Sequence, residues 1–210
     1  MGIVTSGIPG EITLELAALT GARVFIETGT YQGKTTKWAS QYFESVYTIE
    51  RAENLYRQYS PELSLLAGVR PVPGDSREVL PGILEEVAQR EAVVWLDGHW
   101  SGGDTAGAAD ECPLLDELAC LAGRDRDIIL IDDARLFLCA PPRPHAPSQW
   151  PTISYVTAMF SKFKRQPFVQ IVDDVIFAIP DEAPAKNCLV QYAQTRSDMF
   201  WRTFVTLQQP

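Results

Sequence analysis

The sequence predicts a doubly wound α/β fold, with one mostly parallel sheet that ends in an antiparallel hairpin. Short apolar runs alternate with amphipathic segments along most of the 210 residues, which is typical of a parallel sheet covered by helices. Glu91–Asp97 is almost continuously apolar, as expected for a strand buried on both faces. Later, Phe168–Val172 and Val175–Ile179 flank the acidic pair at 173–174, which predicts a tight hairpin turn.

These patterns predict seven strands and five helices. The strands are expected at Arg23–Thr28, Ser45–Glu50, Val69–Pro73, Glu91–Asp97, Asp127–Asp132, Phe168–Val172 and Val175–Ile179. The helices are expected at Lys34–Phe43, Ala52–Tyr59, Arg77–Arg90, Pro113–Ala122 and Thr152–Lys162. A glycine-rich loop, Gly98–Asp110, and a proline-rich loop, Leu138–Pro151, separate the later elements. We therefore expect a single domain over residues 1–210, with a core at about 22–180 and a tail at 181–210. Within the tail, Met199–Leu207 could be a strand, a helix or an oligomer contact.

Composition narrows the classes of partner. The formal charge of −9 and the isoelectric point near 4.7 argue against nucleic acid or a membrane surface as partner, because either requires a basic face. The four cysteines are sparse and include no C-x-x-C pair, which suits reduced thiols in the cytoplasm. No apolar run approaches the roughly 18 residues of a membrane helix, and the N-terminus lacks the pattern of a signal peptide. We expect a cytoplasmic protein that acts on a small molecule.

Acidic residues collect where the predicted strands end. The residues that share this placement are Glu27, Glu50, Asp75, Asp97, Asp132 and Asp133. In a parallel sheet the carboxyl ends of the strands meet at one edge, and ligands of such folds bind there. A solvated surface would scatter these carboxylates, so the sequence predicts a binding site along this edge.

The turn after the first strand reads Glu27-x-Gly29-x-x-x-Gly33. It is neither the G-x-G-x-x-G of dinucleotide enzymes nor a P-loop, and its glycines would let the backbone pass close to a ligand. Glu27 would repel a pyrophosphate but could hold a ligand with a cationic group. Glu50 is placed to accept hydrogen bonds from ribose hydroxyls, and Asp75, with Ser76 beside it, could accept one from an adenine amino group.

With these motifs in this order, the chain resembles the class I S-adenosylmethionine-dependent methyltransferases over roughly residues 22–180. The resemblance implies a Rossmann-like, seven-stranded sheet and S-adenosylmethionine as the cofactor. It implies cofactor contacts from Glu27, Gly29, Thr30, Tyr31, Gly33, Glu50, Asp75, Ser76 and Asp97. Another doubly wound nucleotide-binding protein stays open as an alternative.

A second acidic group follows the fourth and fifth predicted strands. Asp97 and the pair Asp132–Asp133 would converge there, and their repulsion would amount to a few kcal/mol per pair. Some of them are therefore protonated, or a cation lies among them; Mg²⁺, Ca²⁺ and Mn²⁺ favour oxygen ligands. This arrangement resembles the metal-dependent O-methyltransferases of the catechol and macrolide-sugar types. That resemblance implies a divalent ion, magnesium above all, held by Asp97, Asp132 and Asp133, and methylation of a small hydroxylated acceptor such as a sugar or secondary metabolite.

Catalysis could follow more than one route. His99 is a candidate general base, since an imidazole titrates near neutral pH, and a metal-free methyltransferase using His99 is one alternative. A cofactor-binding module without activity is another. Asp132 or Asp133 could instead cap a loop or pair with Arg135. His145, set among prolines, is expected at the surface.

The short N-terminal region departs from the metal-dependent relatives, many of which carry an extension over the active site. Only about twenty residues precede the first predicted strand here. We therefore expect the pocket to be completed by Gly98–Asp110, by Leu138–Pro151, by the C-terminal tail, or by a second subunit in a homodimer.

Overall fold

The computed structural model describes residues 7–103 and 105–207, without the side chains of residues 204, 206 and 207. Its centre is a seven-stranded sheet with strand order β3-β2-β1-β4-β5-β7-β6. The strands are β1 Val24–Thr28, β2 Ser45–Glu50, β3 Val69–Pro73, β4 Ala92–Leu96, β5 Ile128–Ile131, β6 Phe168–Val172 and β7 Val175–Ile179. The strands β1 to β5 run parallel, whereas β7 pairs antiparallel with both β5 and β6. The predicted fold class is confirmed.

Helices cover both faces of this sheet. They are α1 Gly10–Thr20, α2 Lys34–Ala39, α3 Glu53–Leu63, α4 Ser76–Val87, α5 Leu114–Leu121, α6 Ala134–Leu138, α7 Ile153–Phe160 and α8 Ala183–Leu207, with a short 3-10 helix at Pro147–Gln149. On one face, α1 and α8 pack over Phe25, Trp95 and Phe177; on the other, α4, α5 and α7 cover Val94 and Ile129. Because both faces are covered, the central strands β1, β4 and β5 are buried along their whole length. This explains the uninterrupted apolar sequences of β4 and β5.

Helix α1 was not predicted. It extends the core toward the N-terminus from the predicted limit at about residue 22. Ile12 and Leu16, spaced four residues apart, are buried against the sheet. The helix ends where Gly21 adopts a left-handed conformation and donates its backbone N–H to the carbonyl of Ala17, a common helix stop. The helix at Gly10–Thr20 is therefore part of the folded core.

The tail at 181–210 is also part of the fold where the structure describes it. Helix α8 settles the open assignment of Met199–Leu207 as helix. Ala185 and Leu189 are buried, with Cys188 and Tyr192 packed beside them, so the helix contacts the sheet at helical spacing. None of the helices in the described ranges is long and apolar enough to span a bilayer.

Candidate functional site

A cavity of about 570 Å³ opens at the carboxyl edge of the sheet. It lies at the point where the strand order reverses between β1 and β4, the usual ligand position in doubly wound sheets. Its volume is in the range of small-molecule sites. Seven of the predicted site residues line it: Gly29, Tyr31, Glu50, Asp75, Ser76, Asp97 and His99.

Gly29 brings the end of β1 against the end of β4. Its backbone has a φ of +84°, and a Cβ atom there would lie 2.2 Å from the carbonyl oxygen of Asp97. Because that neighbour is backbone, no side chain can turn aside to make room. The backbone of Asp97 thus imposes glycine at this position, whereas the predicted close approach of the glycine-rich turn to a ligand stays a prediction.

We expect Gly29→Ala to separate these two strand ends. The left-handed backbone and the contact with Asp97 together should lower the free energy of unfolding by about 2 kcal/mol, measured by urea denaturation. Gly82→Ala is the matched control, because Gly82 lies within α4 with open space around its Cβ position. The control should be neutral or stabilising, and equal losses in both variants would contradict the close-approach argument.

Glu50 holds the glycine-rich turn against the end of β2. Its two carboxylate oxygens accept backbone N–H groups from Tyr31 at 2.9 Å and from Ala52 at 2.8 Å. Burial raises the pKa of Glu50, although these backbone donors oppose the shift. Each oxygen keeps further lone pairs, so the carboxylate can still accept hydrogen bonds from a ligand in the cavity.

Asp75 is already engaged by arginine. Its carboxylate receives two hydrogen bonds from Arg77, at 2.9 and 2.7 Å, and it caps α4 through the backbone N–H of Arg77. Arg51 lies 3.3 Å away on the opposite side. The Arg77 hydrogen bond is the largest cause of the lowered pKa of Asp75. The structure thus places Asp75 at the cavity as a charged partner of two arginines, neither of which the sequence analysis identified.

Three of the predicted cofactor residues lie beneath the cavity and do not line it. Glu27 is 2% exposed and accepts hydrogen bonds from the hydroxyls of Thr36 and Thr48. Thr30 contacts the hydroxyl of Thr48 at 2.6 Å, and Gly33 packs near Leu63. Burial raises the pKa of Glu27 to about 7, against the lowering effect of the threonine hydroxyls. These residues support the turn from below.

His99 and Arg135 provide the cations of the second acidic group. His99 Nε2 lies 3.0 Å from an oxygen of Asp133, and its Nδ1 lies 3.7 Å from Asp97. Arg135 lies 2.7 Å from the other oxygen of Asp133 and also contacts Asp174. Asp132 accepts the backbone N–H of Asp133. The expected pairing of Asp133 with Arg135 is therefore observed.

The pKa shifts in the second acidic group follow from burial and from the charged partners of each side chain. Burial lowers the pKa of His99, but the Asp133 hydrogen bond and the nearby carboxylates outweigh it and raise that pKa. Burial raises the pKa of Asp97 well above its usual range, with His99 opposing. Burial and the Asp133 charge raise that of Asp132 to about 6. The pKa of Asp133 is lowered despite burial, because His99 and Arg135 stabilise its charge.

The three carboxylates do not fit the predicted metal set. Both oxygens of Asp133 are engaged, one by His99 and the other by Arg135. No cluster of three or more His, Cys, Asp or Glu side chains suited to a metal ion occurs in the described part of the chain. The sequence left two ways to offset the repulsion among these carboxylates, protonation or a cation, and the structure places the cationic side chain of Arg135, together with His99, beside Asp133.

A second cavity, of about 760 Å³, adjoins the first and shares His99 and Ser101 with it. Most of its wall is apolar: Trp100, Leu136, Leu138, Cys139 and Pro142. Of the two loops predicted to complete the pocket, Gly98–Asp110 lines both cavities and Leu138–Pro151 lines the second.

Some residues of this site gave no sequence signal. Arg51 directly follows a predicted strand and Arg77 opens a predicted helix, positions that ordinary surface residues also occupy. Glu111 is buried and accepts a hydrogen bond from His145. The expectation that His145 lies at the surface is wrong, since its side chain is only 14% exposed. Only the three-dimensional path of the two loops brings this pair together.

Known structures with this architecture were found by comparison of folds. A candidate caffeoyl-CoA O-methyltransferase of Staphylococcus aureus superposes with a TM-score of 0.54 and 14% identity, over 85% of this chain and 86% of that one. SMU.1697c, a candidate methyltransferase of Streptococcus mutans whose structure contains SAH, gives a TM-score of 0.50 and 14% identity, over 82% and 98%. No protein-family model matches the chain, and no curated protein sequence does. The protein therefore has the fold of the class I S-adenosylmethionine-dependent methyltransferases.

Proposed function

We propose that the protein transfers the methyl group of S-adenosylmethionine to an oxygen of a small hydroxylated acceptor. The observation that carries this proposal is the pair of adjoining cavities that share His99 and Ser101. One is polar and lies at the cofactor position of the fold, whereas the other has a mostly apolar wall. A cofactor and an acceptor held in them would meet beside His99, and this proximity would supply much of the rate acceleration.

The first cavity fits S-adenosylmethionine in its chemistry. Glu50 presents buried carboxylate oxygens suited to ribose hydroxyls, and Gly29 keeps the floor free of side-chain atoms. Asp97, at the same cavity, offers carboxyl oxygens to a cationic ligand. When bound, the cofactor supplies an electrophilic methyl group; the chain's own residues bind it, orient it and exclude water.

We further propose that no resident divalent ion takes part. Asp133 is neutralised by His99 and Arg135, which leaves too few free carboxylates for an oxygen-ligand site. His99 Nε2 lies 3.0 Å from Asp133 and Nδ1 lies 3.7 Å from Asp97, and these carboxylates raise its pKa, so in this proposal it stabilises their charge and is not the base. This differs from both catalytic routes suggested by the sequence, in which a metal ion or His99 activates the acceptor.

Glu50→Gln should weaken S-adenosylmethionine binding at least tenfold, because the amide loses the charge and one of its two acceptor oxygens. Isothermal titration calorimetry with S-adenosylmethionine and S-adenosylhomocysteine would measure this effect. The control is Glu53→Gln, an exposed change at the start of α3, which should bind like wild type. Absence of binding by the wild-type protein would overturn the proposed function.

A further inference from the structure

Glu111 is an ionised carboxylate buried between the two loops. It accepts hydrogen bonds from Trp150 Nε1 at 2.6 Å, from the backbone N–H of Ala146 at 2.9 Å and from His145 Nδ1 at 3.0 Å. Burial alone would raise the pKa of Glu111, but these donors lower it below its usual value. Its backbone carbonyl accepts the N–H of Trp100 at 2.7 Å. Glu111 therefore fixes both loops and the orientation of His145.

The hydrogen bond to Glu111 determines the tautomer of His145. A carboxylate only accepts hydrogen bonds, so Nδ1 carries the proton and Nε2 of the neutral ring is left as a proton acceptor. Nε2 forms no hydrogen bond within the part of the chain that the structure describes, and His145 lines the second cavity. An imidazole oriented by a buried carboxylate is a recurrent form of general base.

Trp150 places this imidazole near the junction of the two cavities. Its ring centroid lies 5.2 Å from that of His145 and 5.3 Å from that of His99, so a single indole separates the two histidines. Trp100 packs edge-on against His145 at 5.3 Å. Of the two imidazoles, His99 is occupied on both sides by carboxylates, whereas His145 keeps one nitrogen available.

We propose that the second cavity binds a planar phenol and that His145, oriented by Glu111, takes the proton from its hydroxyl during methyl transfer. This inference rests on the proposed function. The phenolic O–H bond breaks and its proton passes to His145 Nε2. The oxygen forms a bond to the methyl carbon as the carbon–sulfur bond breaks, and that bonding pair stays on sulfur. The products are a methyl ether, S-adenosylhomocysteine and a proton that His145 later releases to solvent.

The class of acceptor follows from the residues that line the second cavity and from the use of His145 as the base. Trp100, Leu138 and Pro142 offer apolar surface to a flat ring, while Ser101, Asp133 and Arg135 line the same cavity and offer polar groups to its hydroxyl. The acidity of the acceptor hydroxyl also favours a phenol. A phenol such as the tyrosine side chain has a pKa of about 10, so its proton passes to an imidazole more readily than the proton of a far less acidic sugar hydroxyl.

Binding and catalysis can be tested separately. 7-Hydroxycoumarin should bind the wild-type protein in the presence of S-adenosylhomocysteine, observed as tryptophan quenching. Leu138→Glu should weaken this binding at least tenfold, since it places a charge on the apolar wall, while S-adenosylhomocysteine binding stays unchanged. Equal coumarin binding by the two proteins would overturn the placement of the acceptor.

The base is tested with two phenols of different acidity and radiolabelled S-adenosylmethionine. His145→Ala should slow methylation of unsubstituted phenol at least 100-fold, but that of 4-nitrophenol, which is ionised near neutral pH, less than fivefold. Glu111→Gln should show the same preference more weakly, and Ser148→Ala, an exposed change in the same loop, should match wild type. Equal effects of His145→Ala on both phenols, or none, would overturn the assignment of the base.

The remaining outcomes distinguish this inference from the proposed function. Transfer to glucose but not to phenols would overturn the acceptor class and leave methyl transfer standing. Binding of S-adenosylmethionine without transfer to any phenol would overturn the same inference. Absence of cofactor binding would overturn the proposed function and this inference with it.

Discussion

Replacing Glu27 by glutamine should remove a large pH-dependent loss of stability from the protein. Burial raises the pKa of Glu27 from 4.5 to about 7, so the folded state keeps this proton after the unfolded state has released it. Stability therefore falls as the pH rises from about 4.5 to about 7 and is constant above that range. The difference corresponds to about 3 kcal/mol at roughly 1.4 kcal/mol per pH unit.

The measurement compares two proteins at two pH values. Urea denaturation at pH 5 and pH 8 gives the change in unfolding free energy for wild type and for Glu27→Gln, and wild type should lose about 2.5 kcal/mol more between them, because part of the loss already occurs below pH 5. Other buried carboxylates, such as Glu50, contribute equally to both proteins, so the difference isolates Glu27. The glutamine carbonyl can still accept from Thr36 and Thr48, which keeps the variant folded. Parallel pH profiles of the two proteins would show that Glu27 is ionised in the folded state.

Glu27 also shows what the sequence could predict. A glutamate at the end of an apolar strand marks the edge of the sheet where the site lies, and the structure confirms that placement. The sequence could not predict that the side chain of Glu27 turns down toward two threonines. That orientation depends on Thr36 and Thr48, which belong to α2 and β2. Strand positions were predictable because burial on both faces leaves a continuous apolar run; side-chain partners across elements left no such pattern.

Two features that the sequence did not predict, helix α8 and the contact between Glu111 and His145, were missed for different physical reasons. Helix α8 carries a periodic apolar pattern, Ala185, Cys188, Leu189 and Tyr192, but exposed Met199 and Val205 obscure it further along. The pair Glu111–His145, by contrast, joins residues 34 positions apart in two loops without regular structure. A helix leaves a local signal that can be found, whereas a contact between irregular loops depends on the whole fold.

Replacing Arg135 by methionine should strongly destabilise the second acidic group. Asp174 is 2% exposed and, with Asp133, depends on Arg135 for its counter-charge. Removing one partner of a buried ion pair leaves an unpaired charge, at a cost of about 3 kcal/mol here. That figure is at the lower end of the usual range because the Arg135 side chain is partly exposed to water.

The double variant Arg135→Met/Asp174→Asn should recover much of this loss, because it removes the buried charge as well as its partner. Unfolding free energies of wild type, both single variants and the double variant complete the cycle. Thermal unfolding with and without Mg²⁺ then tests whether protein side chains take the place of a metal ion. Wild type should show little response to Mg²⁺, since Asp133 is already neutralised by His99 and Arg135. A rise in Tm with Mg²⁺ that is lost in Asp132→Asn/Asp133→Asn would contradict this assignment, because those carboxylates would then be binding the ion.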